Sequence, residues 1–308
     1  MIKSVKVTNF KGESTDLVLG SPGNSGLYIT SITGLGAADA NINMTDLVTT
    51  DGKLFNSARL DSRQIVISFL YRSETNNQER ARRNSYKYFP IKRKLELEFT
   101  TDIQKASIIG YVEKNEANIF NENSGCQITI DCPDPYFYDA GAKKELVTYF
   151  AGIQPVFEFP FSNESTTENL INFGEYKRAD KAYILYEGDA SIGVQMYMHA
   201  IQDIADTGYV RVFNVDTDER FELNCAKLKQ VTGKGFIKGD DILFSSERGN
   251  KHVWLLRDGR QYNILNCINL DVSWFQISRG TNTFAFTSDK NWEYIQFFIK
   301  SKTIYEGI

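Results

Sequence analysis

Apolar and polar residues alternate with a period of two along most of this chain, a pattern that predicts half-buried antiparallel strands. The clearest stretch is LELEFT, which sets Leu95, Leu97 and Phe99 on one face and Glu96, Glu98 and Thr100 on the other. The same reading applies to IKSVKVT near the start, LYITSIT from Leu27, RQIVISFLYR from Arg63 and SIIGYVEKNE from Ser107. One helix interrupts them, NNQERARRNSYKYF from Asn76 to Phe89, closed by Pro90, which cannot continue a helix. Ala81, Ser85, Tyr88 and Phe89 share its packed stripe. Arg80, Asn84 and Lys87 form another face with Arg83 beside them, and Glu79 stands four residues before Arg83 for a weak surface ion pair.

At 308 residues the chain exceeds one ordinary core, so two domains are expected. The pattern breaks at CPDPYFYDAG, Cys132 to Gly141, and GAKKELVTYFAGIQP reads as a connector with a short edge strand, which places the domains at 1–145 and 146–308. After it PVFEFPF opens a new run of strands, and Ile192, Val194, Met196 and Met198 alternate against Gly193, Gln195, Tyr197 and His199. Further strands are read at GYVRVFNV, RFELNC, DILFSS, KHVWLLR, LDVSWFQIS, NTFAFTS and YIQFFIKS, separated by turn signals such as RGNK and RDGR. The fold class is therefore mainly β: a β-sandwich-like N-terminal domain with one helix, then an antiparallel β-sandwich or jelly roll.

Several function classes fit poorly. Basic and acidic residues number 18 and 18 through Glu145 and 17 and 21 after it, so neither half has the clustered positive excess of a domain held to phosphate, and no nucleic-acid partner is expected. No stretch has the length and apolarity of a membrane span, and the N-terminus lacks a secretory apolar core, so a protein made and kept in a soluble compartment is expected. GLGAAD, Gly34 to Asp39, approaches a dinucleotide fingerprint but lacks its third glycine, and the alternating ANINMTDLVT that follows predicts a strand where a helix N-terminus is needed. It reads as a glycine turn between two strands, and no cofactor is expected.

No G-x-S-x-G elbow occurs, and only His199 and His252 are available as imidazole bases. The acidic turns DTDE at Asp216 and GDD at Gly239 lack a full calcium-loop ligand set, and no zinc spacing is present, so no metal is expected. Glycoside hydrolysis needs two carboxylates brought together in space, and none of the 39 acidic residues is singled out by its neighbours. Catalytic residues are read as none. Cys126 and Cys132 share one strand face on the order of 20 Å apart, too far to bond, and the four cysteines read as reduced, mostly buried thiols. The chain carries 16 Tyr, 21 Phe and 3 Trp, which suits pleated sheets and protein contacts. A carbohydrate-binding module with Trp254, Trp274 or Trp292 stacked on sugar rings is the alternative reading, against simple core packing of the same rings.

Taken in order, ITSITGLGAADANI, TTDGKLFNSARLDSRQIVISFLYR, QERARRNSYKYFPIKRKLELEFT and IIGYVEKNEANIFNENSGCQITIDCPDPYFYD resemble the N-terminal ring-forming domain of the distal tail (Dit) proteins of phages with long non-contractile tails. INFGE, GDDILFSSERGNKHVWLLRDGR, INLDVSWFQISRGTNTFAFTS and the closing YEGI are similar to that family's galectin-like C-terminal domain. The resemblance implies a non-enzymatic structural hub at the virion tail tip, made in the bacterial host cytoplasm. It further implies a homohexameric ring built by the N-terminal domains. The partners it implies are the tail tube protein, a tail-associated tip protein and receptor-binding or baseplate proteins. On that reading the helix face of Arg80, Arg83 and Lys87 is a candidate subunit or partner contact.

Overall fold

The computed structural model describes residues 1–47, 50–72, 78–118, 124–155, 174–178 and 181–308. The first two residues of the helix expected from Asn76, and PVFEFPF beyond Pro155, lie outside them. Two compact units form, Met1–Lys144 together with Ile304–Ile308, and Glu145–Thr303. The last five residues, read in sequence as part of the second domain, thus belong with the first unit.

All nine strands of the first unit's main sheet are joined in one hydrogen-bonded network. Its path runs Ser14–Val18, Ser4–Asn9, Lys94–Thr100, Lys105–Asn118, Gly125–Cys132, Arg63–Tyr71, Leu27–Thr33, every pair antiparallel. Alternation determines which face is dry: Leu95, Leu97 and Phe99 are buried with Val5, Val7, Ile65, Ile67, Ile108, Ile128 and Ile130. The helix Gln78–Tyr88 covers part of this face with Ala81 and Ser85, and the Phe89 ring that follows it packs 5.6 Å from Phe69. Phe137–Asp139 adds a short strand against Lys105–Asn118 and also pairs with Ile304–Tyr305.

Between Leu27–Thr33 and Arg63–Tyr71 the chain makes a separate two-stranded hairpin, Ala40–Asp46 with Lys53–Leu60. We call it the arm.

The second unit is a sandwich. One sheet runs Gly174–Arg178, Leu146–Pro155, Ile295–Ser301, Gln195–Ala200, Asp241–Ser245, His252–Arg257, Arg260–Asn263. The other runs Lys181–Tyr186, Gly280–Ser288, Tyr209–Asn214, Glu219–Asn224. Rings from the two sheets meet in the core, Phe286 on Phe297 at 5.0 Å and Phe221 on Phe244 at 5.1 Å. Leu146–Pro155, expected as a short edge strand, is paired on both sides, with Ile295–Ser301 and with Gly174–Arg178. LDVSWFQIS yields only the two-residue strand Gln276–Ile277, paired with Ile192–Gly193. A helix not anticipated from sequence, Cys225–Thr232, follows directly on Glu219–Asn224. Asn224 caps it by accepting from the Lys227 amide, and Gly233 closes it in the left-handed region at φ 81°.

Candidate assembly surfaces and the Arg63 junction

Arg63 begins the strand next to the edge of the sheet path, yet the residue is 3% exposed, and every hydrogen bond its side chain makes is to a backbone carbonyl. Nε donates to Pro135 at 2.7 Å, Nη1 to Gly34 at 2.7 Å and to Gly36, and Nη2 to Glu306 at 2.5 Å. The guanidinium also lies 4.5 Å from the Phe137 ring centroid, a cation–π contact. Burial lowers its pKa from the usual arginine value. The planar group with its five donors suits a point where several chain segments present carbonyls from different directions. Those segments are the turn after Cys132, the base of the arm, and the returning residues Ile304–Ile308. The last are fixed further by Tyr305, whose hydroxyl donates to Asp139 at 2.9 Å, and by the Ile308 amide, which donates to Leu35 at 3.0 Å.

GLGAAD lies between the strands Leu27–Thr33 and Ala40–Asp46. Gly34 sits at φ 84°, and a Cβ there would lie 2.0 Å from the Gln64 carbonyl, so the glycine serves a close backbone approach. Its carbonyl and that of Gly36 receive a cation, whereas a pyrophosphate needs amide donors at a helix start, and the strand Ala40–Asp46 follows instead.

The helix face is arranged as follows. Arg80, Arg83 and Lys87 are all exposed. Arg83 pairs with Glu79 at 3.3 Å, Arg82 pairs with the same carboxylate at 2.8 Å, and Lys87 pairs with Glu13 at 3.2 Å. Hydrogen bonds from Asn9 and then Lys87 hold Glu13 below the usual carboxylate range, and Arg82 and then Arg83 do the same for Glu79. These are exposed pairs of small energetic weight, which leave the face rich in cations.

The three tryptophans are half-buried and occupy separate places. Trp254 stands on the outer face of its strand beside His252, with ring centroids 3.7 Å apart. Trp274 stacks on the core residue Phe244 at 5.2 Å under Lys251, and Trp292 lies in a short 3-10 turn. His199 Nδ1 is 2.7 Å from Asp241 Oδ1 on the neighbouring strand, and His252 Nδ1 is 2.9 Å from the Asn250 carbonyl. Neither contact includes a nucleophile. Among the described residues no group of three or more His, Cys, Asp or Glu side chains is gathered to hold a metal ion, and no helix is long and apolar enough to cross a membrane.

A heavily bonded buried arginine in the second unit is structural. Arg257 donates to buried Asp240 through Nε at 2.6 Å and Nη2 at 2.5 Å, and also to Thr232 and the Gly235 carbonyl. It ties the end of the helix Cys225–Thr232 to the strand His252–Arg257. The sequence signals neither Arg63 nor Arg257, because the first has only backbone carbonyls as hydrogen-bond partners and the second lies 17 positions from its aspartate.

No protein-family model matches the chain, and no curated protein matches it by sequence. Solved structures do match in fold. The Dit protein of phage SPP1, described as a paradigm of the hub adsorption apparatus in phages that infect Gram-positive hosts, aligns over 98% of this chain and 99% of its own at a TM-score of 0.62 and 11% identity. Two structures of the phage P2 baseplate in its activated conformation, with Ca and with Sr, align at 12% identity with TM-scores of 0.42 and 0.40. They cover 98% and 97% of this chain and 99% and 98% of theirs.

Proposed function

We propose that this chain is a non-enzymatic structural hub of a phage or prophage tail tip. Six copies close a ring through their first units, joining the tail tube to the tip and to the receptor-binding or baseplate proteins. The protein is made in the host cytoplasm and resides at the tip of the virion tail. The observation that carries this reading is the fold shared with SPP1 Dit across 98% of the chain, both units included. A ring closed by rotation uses two unlike surfaces on each subunit, contacted head to tail. The cationic helix face of Arg80, Arg83 and Lys87 is one candidate for contact with a neighbouring subunit or tail protein.

Light scattering on the purified full-length chain, followed by negative-stain imaging, tests the proposal. Six-fold rings, single or stacked, are the expected result; a strict monomer at high concentration counts against self-assembly. Replacing Arg80, Arg83 and Lys87 together by Glu is expected to impair assembly, and normal rings from that variant remove the helix from the contact.

A further inference from the structure

The arm exposes both of its faces. Every residue of Ala40–Asp46 and Lys53–Leu60 is exposed except Leu60, which is half-buried. Register groups most apolar residues on one side: Ala40 faces Leu60, Ile42 faces Ala58 and Met44 faces Phe55, with the Asp46–Lys53 ion pair at the end of that side, 3.0 Å. On the other side Asn41 faces Arg59, Asn43 faces Ser57 and Thr45 faces Leu54, with Asn56 Nδ2 donating to the Thr45 hydroxyl at 2.6 Å. The irregularity between Asn43 and Met44 produces this sorting. One extra residue in Lys53–Leu60 carries Phe55 onto the face of Ile42 and Met44, where strict alternation would have set it opposite Thr45.

The apolar face stays open within the chain. Ile42 is 51% exposed, Met44 46% and Phe55 60%. A lone two-stranded hairpin is marginal in water at best, and this one leaves its apolar side wet. With Ala58 and Leu60 that side presents on the order of 400 Å² of apolar surface, against about 800 Å² per partner in a stable interface. Each strand is about 25 Å long. The arm's base is held, because Arg63 binds the carbonyls of Gly34 and Gly36 and the Asp61 amide donates to the Asp39 carbonyl at 3.1 Å.

A head-to-tail contact needs a second, unlike surface on the same chain, and the first unit has one. On Lys105–Asn118, Ile109 and Tyr111 point outward, 45% and 44% exposed, between the buried positions Ile108, Gly110 and Val112. The arm of the same chain leaves both uncovered. We infer that the Ile42–Met44–Phe55 face of the arm packs on the Ile109–Tyr111 face of a second copy of this chain. The inference rests on the ring reading and names the two surfaces that close the ring.

The test uses the full-length chain and its association measured by analytical ultracentrifugation over a range of concentrations, with circular dichroism confirming that each variant is folded. Phe55→Asp and Tyr111→Asp are each expected to raise the concentration needed for assembly at least about 30-fold. Ser57→Asp, on the arm's polar face, is expected to assemble as the parent does. An equimolar mixture of Phe55→Asp and Tyr111→Asp is expected to give dimers and nothing larger, since each pair retains one intact arm and one intact sheet face. Phe55→Asp rings of normal size and affinity overturn the inference while the ring reading stands. Equal loss in Ser57→Asp overturns the assignment to the apolar face. A parent chain that forms only dimers, lost in Phe55→Asp, keeps the arm contact and overturns the ring; a monomeric parent overturns both.

Discussion

Arg63 and Glu306 lie 243 positions apart in the chain, and the guanidinium of the first donates to the backbone carbonyl of the second at 2.5 Å. Through the same side chain, Pro135, Gly34 and Gly36 are held at one point. Arg63→Met leaves those carbonyls buried without a donor and is expected to destabilise the first unit by roughly 3 kcal/mol. Lysine at this position keeps the charge but loses the planar fork, and recovers less than half of that. Hydrogen exchange at Phe137–Asp139 and Ile304–Tyr305 measures the effect locally. A loss under about 1 kcal/mol would show that the carbonyls find other partners.

Asp240 and Arg257 are both buried, so removing one partner strands the other charge. Asp240→Ala is expected to cost the second unit about 3–5 kcal/mol, and the double variant Asp240→Ala, Arg257→Met to recover a large part of it. All three tryptophans belong to this unit, so their fluorescence in a urea titration reports its unfolding. A double variant no more stable than the single one contradicts the explanation by stranded charge.

The four cysteines are free and buried. Burial pushes the Cys132 thiol from 9.0 up to about 12 and the Cys225 thiol from 9.0 up to about 11. The folded chain therefore keeps protons that the unfolded chain gives up above pH 9, and stability falls as pH rises from about 9 toward 11 or 12. The slope is at most about 1.4 kcal/mol per pH unit for each thiol. Cys132→Val is expected to flatten this alkaline loss in the first unit, a comparison that cancels the titration of other groups. A thiol reagent at neutral pH is expected to label none of the cysteines in the native chain and all of them in denaturant.

The cap on Cys225–Thr232 gives a smaller, local prediction. Asn224→Ala is expected to cost about 1 kcal/mol through the lost bond to the Lys227 amide. Gly233→Ala is expected to cost a similar amount, about 1 kcal/mol, because φ 81° is unfavourable for a residue with a Cβ. Both are read as shifts of the second unit's urea midpoint.

Period-two alternation carried most of the strands. It placed Leu95, Leu97 and Phe99 inward, and Pro90 marked the helix end to within one residue, Phe89 expected and Tyr88 found. The short helix Cys225–Thr232 escaped because RFELNC reads smoothly as a strand through its start, although Asn224 and Gly233 are the cap signals that would have located it. The open face of the arm was not legible for a different reason. Alternation says which side chains share a face, and nothing in ANINMTD distinguishes a face packed by its own chain from one left to a neighbour. The register irregularity that brings Phe55 beside Met44 is likewise a property of pairing, invisible in either strand alone. Arg63 gave no signal because backbone carbonyls have no residue type.

The return of Ile304–Ile308 to the first unit means that the chain enters the second unit after Lys144 and leaves it after Thr303, with Phe137–Asp139 and Ile304–Tyr305 zipped together nearby. A protease that nicks the link at Lys144 would therefore separate the sequence into two fragments without releasing two particles. The fragment bearing the second unit would keep its last five residues as a plug in the first. A tensile load on the second unit is likewise divided between two covalent tethers, where a simple tandem of domains would hang from one.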